Sequence, residues 1–467
     1  MRSHLLLTIA VTTLAFAVAC SGGGSSSSFT GRTNTTPPAT GSVVQVSLGD
    51  DAGDRVASLS VTVNAVQLTS DAGTTVSLIS SPTTLEISSL AGTTTPLGTV
   101  TVPAGTYNKL TITLGGATIT VVDPATGTTV QKTFNAPANP FSITLNPVFV
   151  SDGSARVINI DLNLHSSVAI DATGNVTFNP LFLVSHARMQ GPPPGMPPNP
   201  FTGGVERAIG KVGNVFPTTF ELITAIGQKT LTFTVNSATV FNGVGSLQGL
   251  QGGMLVLVNG QAQSDGTLLA SKVTVIDGFQ SGIGAVGIVS STTGTPVTQF
   301  KMLAHGITLN TAFTGLSAVP QAVLTVSVTS GTNFQPDTDD VDTGGLGLSF
   351  NASTLSPAQT VAVYTSGALT IAPGSPVTGS LTASQVRLLQ QPLVGSISNL
   401  ATDSFTLTVP SESVFAVLAK TTTVTVYRRP ATQLSDNLAL ANGQKVFVRG
   451  LVFNNNGYQM VATRIGQ

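Results

Sequence analysis

Cysteine is almost absent from this chain: among 467 residues there is one, Cys20. A single cysteine cannot form a disulfide within the chain, and it cannot build a thiolate cluster around a metal ion. Tryptophan is missing, and there are four tyrosines. Because sugar-binding faces usually stack aromatic rings against the sugar, this scarcity argues against a dedicated carbohydrate-binding module.

Charged side chains are also scarce, at 8% of the residues, against about 25% in an average protein. The 19 lysines and arginines nearly balance the 20 aspartates and glutamates, for a net charge of −1. Arg428 and Arg429 form the single adjacent basic pair. A nucleic-acid-binding protein needs rows of basic side chains to replace counterions along the phosphate backbone. We therefore expect no nucleic-acid partner.

The amino terminus has the residue pattern of an export signal. In MRSHLLLTIAVTTLAFAVAC, residues 1–20, a basic start precedes a mostly apolar stretch from Leu5 to Val18. This stretch is too short to span a bilayer as a helix, but it suits the core of a signal peptide. The segment resembles a bacterial lipoprotein signal, which implies lipidation at Cys20, although that pattern prefers Leu where Ala17 stands. The alternative is an ordinary secretory signal with a chance cysteine.

Residues 21–40 follow Cys20 and are rich in Gly, Ser and Thr. They have too few apolar side chains to offset the chain entropy lost on folding, which predicts a flexible tether. In lipoproteins an Asp directly after the cysteine retains the protein at the inner membrane, and here that residue is Ser21. We therefore expect an exported protein held by an N-terminal lipid at the outer membrane or cell surface.

Residues 41–188 alternate apolar and polar side chains in many short runs separated by Gly, Pro, Asp and Asn. This pattern predicts an antiparallel β-sandwich. Four landmarks resemble the bacterial lipoprotein module named domain of unknown function 4382: LGDD at 48–51, VPAGTY at 102–107, INIDLNLHSSV at 158–168 and NPLFLVSHA at 179–187. Glu86-Ile87 departs from the Asp-Leu that the family tends to have. The resemblance implies no known activity.

A proline-rich segment, 189–204, predicts an extended linker. After it the chain repeats one five-strand order three times, at 205–278, at 282–391 with an insertion, and at 393–467. These units resemble the module named domain of unknown function 5666. Their strand order predicts small five-stranded barrels, of the oligonucleotide/oligosaccharide-binding type.

The sequence GIGAVG, residues 282–287, has the glycine spacing of a dinucleotide-binding loop. Such a loop must be followed by a helix and, about 20 residues later, by an acidic residue. Here IVSSTTGTPVTQF follows, which predicts strand and turn, and residues 300–310 contain no acid. Gly287 also matches Gly210 and Gly395 in the other repeats. We therefore expect no nucleotide and assign Gly287 to the opening strand of the middle repeat.

Candidate chemical groups are few. His4, His165, His186 and His305 share no metal-ligand spacing. The acidic run PDTDDVDTGG supplies four candidate calcium ligands, although Val341 stands where the helix-loop-helix calcium template needs a third oxygen. A solvated loop is the favoured interpretation, in which segment 333–347 is an insertion that the barrel does not need, and calcium binding is the alternative. The four candidates are Asp337, Asp339, Asp340 and Asp342.

Taken together, these features predict an all-β, lipid-anchored surface protein with a non-enzymatic structural or adhesive role. They predict no cofactor, with calcium in the acidic run as the alternative. Membrane contact would come through the N-terminal lipid, and a surface ligand or protein partner stays unidentified. The alternative function is binding of a glycan, a peptide or a cell-wall component. An enzyme is disfavoured because no nucleophile–base constellation is recognisable.

Overall fold

A computed structural model describes residues 41–51, 56–90, 93–123, 129–171, 175–191, 198–224, 229–277, 283–308, 322–338, 341–372, 377–434 and 438–466. Segment 1–20 with Cys20, and the predicted tether 21–40, lie outside these residues. The described part is nearly all β, as predicted. Its helices are short, and none has the length and hydropathy needed to cross a bilayer. They are α1 (Leu164–Ser167), α2 (Val414–Ala419) and 3-10 turns at Ser88–Leu90, Pro200–Thr202 and Leu247–Gly249.

The first module, the sandwich, consists of strands β1 to β12. Their bounds are β1 (Ser42–Asp51), β2 (Val56–Ser70), β3 (Thr75–Ser77), β4 (Thr83–Glu86), β5 (Thr94–Val102), β6 (Gly105–Val122), β7 (Thr129–Phe134), β8 (Phe141–Ser151), β9 (Arg156–Asn163), β10 (Val168–Ile170), β11 (Val176–Phe178) and β12 (Phe182–Arg188).

Two sheets of the sandwich pack around one apolar core. One has the strand order β12-β9-β1-β5, and the other has the order β3-β2-β6-β7, with β4 paired to β2 and β8 to β6. β10 and β11 form a separate hairpin. Strand β6 shows why such sequences form sheets: Leu110, Ile112 and Leu114 are buried while the threonines between them are half-exposed. This period of two places every apolar side chain on one face.

One strand pair departs from the antiparallel pattern predicted for the sandwich. β1 runs parallel to β9, with Val46 opposite Ile158, while its other neighbour, β5, is antiparallel. Parallel neighbours need a long connection between them. Here the connection contains β2 to β8, including the strands of the facing sheet.

The three repeats follow in chain order. The first contains β13 (Gly204–Val215), β14 (Thr219–Thr224), β15 (Thr230–Thr234), β16 (Val240–Asn242), β17 (Leu255–Ala262) and β18 (Leu268–Asp277). The middle repeat contains β19 (Ile283–Thr293), β20 (Gln299–Thr308), β21 (Ala322–Ser327), β22 (Asn333–Pro336), β23 (Thr360–Thr365), β24 (Thr370–Ala372), β25 (Val377–Thr382) and β26 (Gln385–Leu388). The third contains β27 (Gln390–Ser398), β28 (Ser404–Thr408), β29 (Thr423–Tyr427), β30 (Gln433–Leu434), β31 (Lys445–Asn454) and β32 (Tyr458–Gly466).

Five strands close into a barrel in the first and third repeats. Closure occurs where the third strand pairs in parallel with the last: β15 with β18, and β29 with β32. A short extra strand, β16 or β30, adds in parallel to the same last strand. In the middle repeat the last strand is divided, because β25 pairs with β21 whereas β26 pairs with β23. Assignment of these barrels to the oligonucleotide/oligosaccharide-binding type stays a prediction.

Gly287 lies where β19 passes very close to β20. A Cβ atom at this position would overlap the backbone carbonyl of Leu303. Gly210 and Gly395, at the matching positions of the other repeats, face backbone carbonyls in the same way. β19 continues to Thr293 as a strand. The glycine therefore permits close approach of two strands, and the GIGAVG motif is not followed by the helix that a dinucleotide loop needs.

The acidic segment 333–347 is not a dispensable solvated loop, and that expectation is wrong. β22 pairs in parallel with β26, in the place that β16 and β30 occupy in the other repeats. Asp337 is 1% exposed, and Val341 packs in the same core as Phe350 and Leu355. The segment therefore supplies both a strand and core side chains to the middle repeat.

The end of the predicted linker packs against the sandwich. Residues 192–197 lie outside the described residues. Beyond them, the Thr94 hydroxyl donates to the Pro200 carbonyl at 3.3 Å, and the Asn159 side-chain amide donates to the Phe201 carbonyl at 2.9 Å. This part of the linker is therefore held in place by hydrogen bonds instead of extending as a free spacer.

The modules share their apolar cores. Ala57 and Val122 of the sandwich pack in one cluster with Ile288 of the middle repeat and Phe415 of the third. Leu255 of the first repeat packs with the core of the middle repeat in a smaller cluster. Residues Thr40–Gln467 accordingly form one compact unit.

Replacing Gly287 with Ala should destabilise the protein by about 1–3 kcal/mol, the usual cost of forcing an extra methyl into a packed site. The reason is the overlap with the Leu303 carbonyl, which only a backbone shift can relieve. Denaturant unfolding of the purified variant measures the loss. Gly245→Ala is the matched control, because a Cβ there meets nothing within 4 Å. Equal stability of the two variants would contradict this account of the motif.

Candidate functional site

A cluster of buried charges lies where the three repeats meet. We call it the junction cluster. The side chains that form ion pairs in this cluster are between 1% and 9% exposed. In a chain with so few charges, such a concentration in the interior is the most distinctive chemical feature of the described residues. Its members are Glu206, Arg207, Asp337, Arg387, Arg449 and Arg464.

A β-bulge in the first repeat presents two charges from consecutive positions. In the pairing of β13 with β17, Val205 faces Gly260 and Ala208 faces Val258, so Glu206 and Arg207 together oppose Asn259. The side chain of Asn259 accepts a hydrogen bond from the Arg207 backbone N–H at 2.7 Å. Arg207 has a φ of 53°, in the left-handed region that side chains seldom adopt. Bulges redirect side chains in this way.

Asp337 joins the first and middle repeats. It directly follows β22, and its backbone N–H donates to the Leu388 carbonyl at 2.9 Å. One carboxylate oxygen accepts from Arg387 at 2.7 Å, and the other forms an ion pair with Arg207. A buried carboxylate is stable only when it is paired and hydrogen-bonded. The position of Asp337 therefore depends on both repeats.

The third repeat reaches the same point through β31 and β32. Arg464 forms an ion pair of 3.0 Å with Glu206 of the first repeat, and it also donates to Gln433 at 2.9 Å. Arg449 stands opposite Arg464 in the strand register. Burial lowers the pKa of Arg449 to about 10; the neighbouring Glu206 raises it, and the cations Arg464 and Arg207 lower it further.

A cavity of about 130 Å³ lies beside the junction cluster. Its walls come from all four modules: Thr93 from the sandwich, Arg207 from the first repeat, Gln390 from the strand that opens the third, Arg449 from β31, and Asp337 from the middle repeat. The cavity exists only while the modules hold their mutual arrangement.

A second buried polar contact links the sandwich to the middle repeat. Glu86 Oε1 accepts from the Leu59 backbone N–H at 3.0 Å, from the Ser58 hydroxyl at 3.2 Å and from Ser88. Glu86 Oε2 lies 3.9 Å from His305 Nδ1. Both side chains are buried, and His305 borders a cavity of about 100 Å³ that the third repeat also lines. Glu86 and Ile87 are the two residues at which the sequence departs from the module that it resembles.

A more polar cleft of about 410 Å³ lies between the sandwich and the first repeat. Hydroxyl side chains line it, among them Ser80, Thr84 and Thr230, together with Lys229. Burial lowers the pKa of Lys229 to about 8. A cleft of this volume falls within the range typical of small-molecule sites.

The structure separates the calcium candidates that it describes. Asp337 faces two arginines in the junction cluster, whereas Asp342 is exposed and pairs with Arg429 of the third repeat at 3.1 Å. Asp339 and Asp340 lie outside the described residues. Within the described part of the chain no three His, Cys, Asp or Glu side chains are grouped as metal ligands. Calcium binding in this segment stays a prediction.

Sequence reasoning missed the junction cluster and the contact between Glu86 and His305. The available signal was weak: Arg207, Arg449 and Arg464 interrupt apolar strands of a chain that has few charges anywhere. No spacing rule links residues that are more than 250 positions apart. The bulge that turns Glu206 and Arg207 toward the junction also leaves no recognisable motif in the sequence.

Comparison with known families identifies two kinds of domain. Residues 41–180 match the family described as Domain of unknown function (DUF4382), and residues 209–274 and 394–466 match Domain of unknown function (DUF5666). These matches confirm the resemblances seen in the sequence. The matched ranges do not include residues 282–391, although the five-strand order recurs there.

Among solved structures, a Drosophila protein described as Unr CSD456 shares 10% identity, with 55% of this chain and 95% of that chain covered and a TM-score of 0.13. A multidomain protein with nucleic acid binding domains from Streptococcus pneumoniae shares 9% identity over 56% and 72% of the two chains, with a TM-score of 0.10. At these TM-scores neither similarity supports a conclusion about this chain. No curated protein matches it.

Asp337→Asn should destabilise the protein by about 3–5 kcal/mol, because removal of one partner leaves buried charge without compensation. Two arginines of two different repeats would lose their carboxylate. Thermal and denaturant unfolding measure the effect. Asp342→Asn is the matched control: its ion pair is solvent-exposed, and its loss should leave the melting temperature almost unchanged. A small effect at Asp337 would show that the junction cluster does not hold the repeats together.

Lys229→Met should raise the melting temperature at pH 7. The folded protein holds the pKa of Lys229 near 8 because burial disfavours the ammonium, whereas the unfolded chain has a pKa of about 10.4. Wild-type stability should therefore increase as the pH rises from about 8 to about 10.4, since the unfolded state binds more protons there. The advantage of Lys229→Met should shrink over the same interval in melting curves. The exposed Lys445→Met is the control, and a pH-independent difference would contradict the assignment.

Proposed function

We propose that this protein is a lipid-anchored scaffold, displayed at the outer membrane or cell surface of a bacterium, with a structural or adhesive role instead of an enzymatic one. The lipid would be attached at Cys20, and residues 21–40 would separate the anchor from the folded unit. The proposal includes no nucleic-acid or nucleotide partner, because the chain has neither a basic stripe nor a phosphate-binding loop.

The observation that best supports a structural role is that buried ion pairs and shared apolar cores connect the modules. A string of independent binding domains would need only flexible links between them. Here the ion pairs of Asp337 and Glu206 cross between repeats, and the apolar cores continue from one module into the next. Such an arrangement favours one stiff body that resists deformation, which suits a protein that projects from a surface.

The surface composition supports the same role. The described exterior is dominated by Thr, Ser, Asn and Gly, and several of the few charged residues are buried at the module junctions. A neutral polar surface attracts few partners by long-range electrostatics. Contact with another surface would then depend on shape and short-range hydrogen bonds.

The second candidate function is ligand binding, and the cleft beside Lys229 favours it. Hydroxyl groups and one ammonium line this cleft, and they would hydrogen-bond to a polar ligand such as a glycan or a cell-wall fragment. Binding of cell-wall polymer by the purified protein, lost on substitution of Lys229 and Thr84, would favour this function over a structural one.

Replacing Cys20 with Ala tests the anchor. The variant should move from the membrane fraction to the soluble exported fraction, or accumulate as an unprocessed precursor, because no other cysteine can accept a lipid. Fractionation of expressing cells and labelling with a radioactive fatty acid give the two readouts. Ser21→Ala, next to the lipidation site, is the control and should stay anchored. A normally processed, membrane-bound Cys20→Ala protein would refute lipid anchoring at this residue.

A further inference from the structure

The cleft between the sandwich and the first repeat has two walls that are each held in place. Segment 80–84 belongs to the sandwich, and Lys229 stands directly before β15 of the first repeat. The backbone of Lys229 exchanges two hydrogen bonds with Thr224, at 2.9 and 3.0 Å. Gly266 of the first repeat packs against the Thr99 side chain of β5, which fixes the separation of the two modules nearby.

Polar side chains of this cleft have groups to offer a ligand. The ammonium of Lys229 makes no hydrogen bond or ion pair with any residue that the structure describes, because both hydrogen bonds of this residue come from its backbone. The hydroxyls of Ser80, Ser81 and Thr230 also form no hydrogen bond within the described ranges. One cation and three hydroxyls therefore line the same cleft without internal partners there.

The electrostatics of Lys229 point to a missing anion. Burial lowers the pKa of Lys229 to about 8. A carboxylate beside the amine would favour the charged form and raise the pKa instead. At pH 7 the amine is still mostly charged, and a half-buried charge without a partner is unfavourable. A ligand that brings a negative charge next to this ammonium would remove that cost.

The lining of the cleft also restricts the chemistry of the ligand. Its described walls contain hydroxyls, one ammonium, Pro82 and Leu97, but no aromatic ring. A sugar that cannot stack on a ring must be held by hydrogen bonds and charge, which favours an acidic sugar over a neutral one. A single ammonium balances the one charge of a carboxylate, whereas a phosphate group brings about −1.5 to −2.

We propose that this cleft binds one acidic sugar residue, a pyranose that carries a carboxylate, as in a uronic acid. The carboxylate pairs with the ammonium of Lys229, and the sugar hydroxyls exchange hydrogen bonds with Ser80, Ser81 and Thr230. The volume of about 410 Å³ lies near the lower end of small-molecule sites, which fits a single sugar residue. This inference rests on ligand binding, the second of the two proposed functions, and names its ligand class.

The test is calorimetric titration of the purified full chain with glucuronate and, separately, with glucose. Glucuronate should bind at one site per chain at pH 7. Glucose should bind at least about tenfold more weakly, because a hydrogen bond to a charged group contributes more than a neutral one. Since the bound carboxylate requires the ammonium, the affinity for glucuronate should fall about tenfold between pH 7 and pH 9, with proton uptake on binding.

Three variants locate the site. Lys229→Met, which we expect to be at least as stable as wild type, should lose the preference for glucuronate over glucose. Lys229→Arg should bind glucuronate at pH 7 and keep its affinity at pH 9, because arginine stays protonated throughout. Thr230→Val should weaken binding about two- to tenfold through the loss of one hydroxyl. The exposed Lys445→Met is the matched control and should bind like wild type.

The outcomes separate this inference from the function on which it rests. Equal binding of glucose and glucuronate by wild type, or unchanged glucuronate binding in Lys229→Met, would overturn the acidic-sugar assignment. Acetate that binds as tightly as glucuronate would contradict the role of the hydroxyls. A neutral cell-wall polymer that binds through Lys229 and Thr84, without any binding of glucuronate, would refute the inference and leave ligand binding standing. Binding of neither polymer nor sugar would refute both.

Discussion

The arrangement of the three repeats depends on the pairing of buried charges at their junction. Asp337 is compensated only if Arg387 of its own repeat and Arg207 of the first repeat both reach it. Glu206 forms an ion pair with Arg464 of the third repeat and also lies beside Arg449 of that repeat. Unpaired, each of these groups would carry a desolvation cost of several kcal/mol. Alternative packings of the repeats are thus penalised, even though the paired cluster itself contributes little net stability.

The need to pair these buried charges explains two features that the repeat pattern alone leaves unexplained. The middle repeat is longer than its neighbours. Its strand β22 ends at Pro336, and the next residue, Asp337, belongs to the junction cluster. The β-bulge in β13 turns both Glu206 and Arg207 toward the same place, and it requires a left-handed backbone at Arg207. Strained backbone of this kind persists where the surrounding structure holds it. The interface between repeats therefore determines local structure within them.

The low number of charged residues and the burial of several of them together determine the character of the surface. A chain with 8% charged residues that places several of them inside has little left for its surface. Solubility must then come from hydroxyl and amide groups, and the near-zero net charge gives weak long-range repulsion between copies. For a protein held at a membrane by a tether, which is the function we propose, weak repulsion allows dense packing of neighbouring molecules.

The sequence by itself determined the local structure of this protein. Alternating apolar residues specified the strands, recurring strand order exposed the repeats, and Gly210, Gly287 and Gly395 marked the same close approach in each, because all these signals act over a few neighbouring residues. The tertiary structure alone decided the parallel pair β1–β9, the core role of segment 333–347 and the junction cluster. These depend on residues up to 258 positions apart, Glu206 and Arg464, and no local periodicity encodes which distant charges will meet once the apolar surfaces have packed.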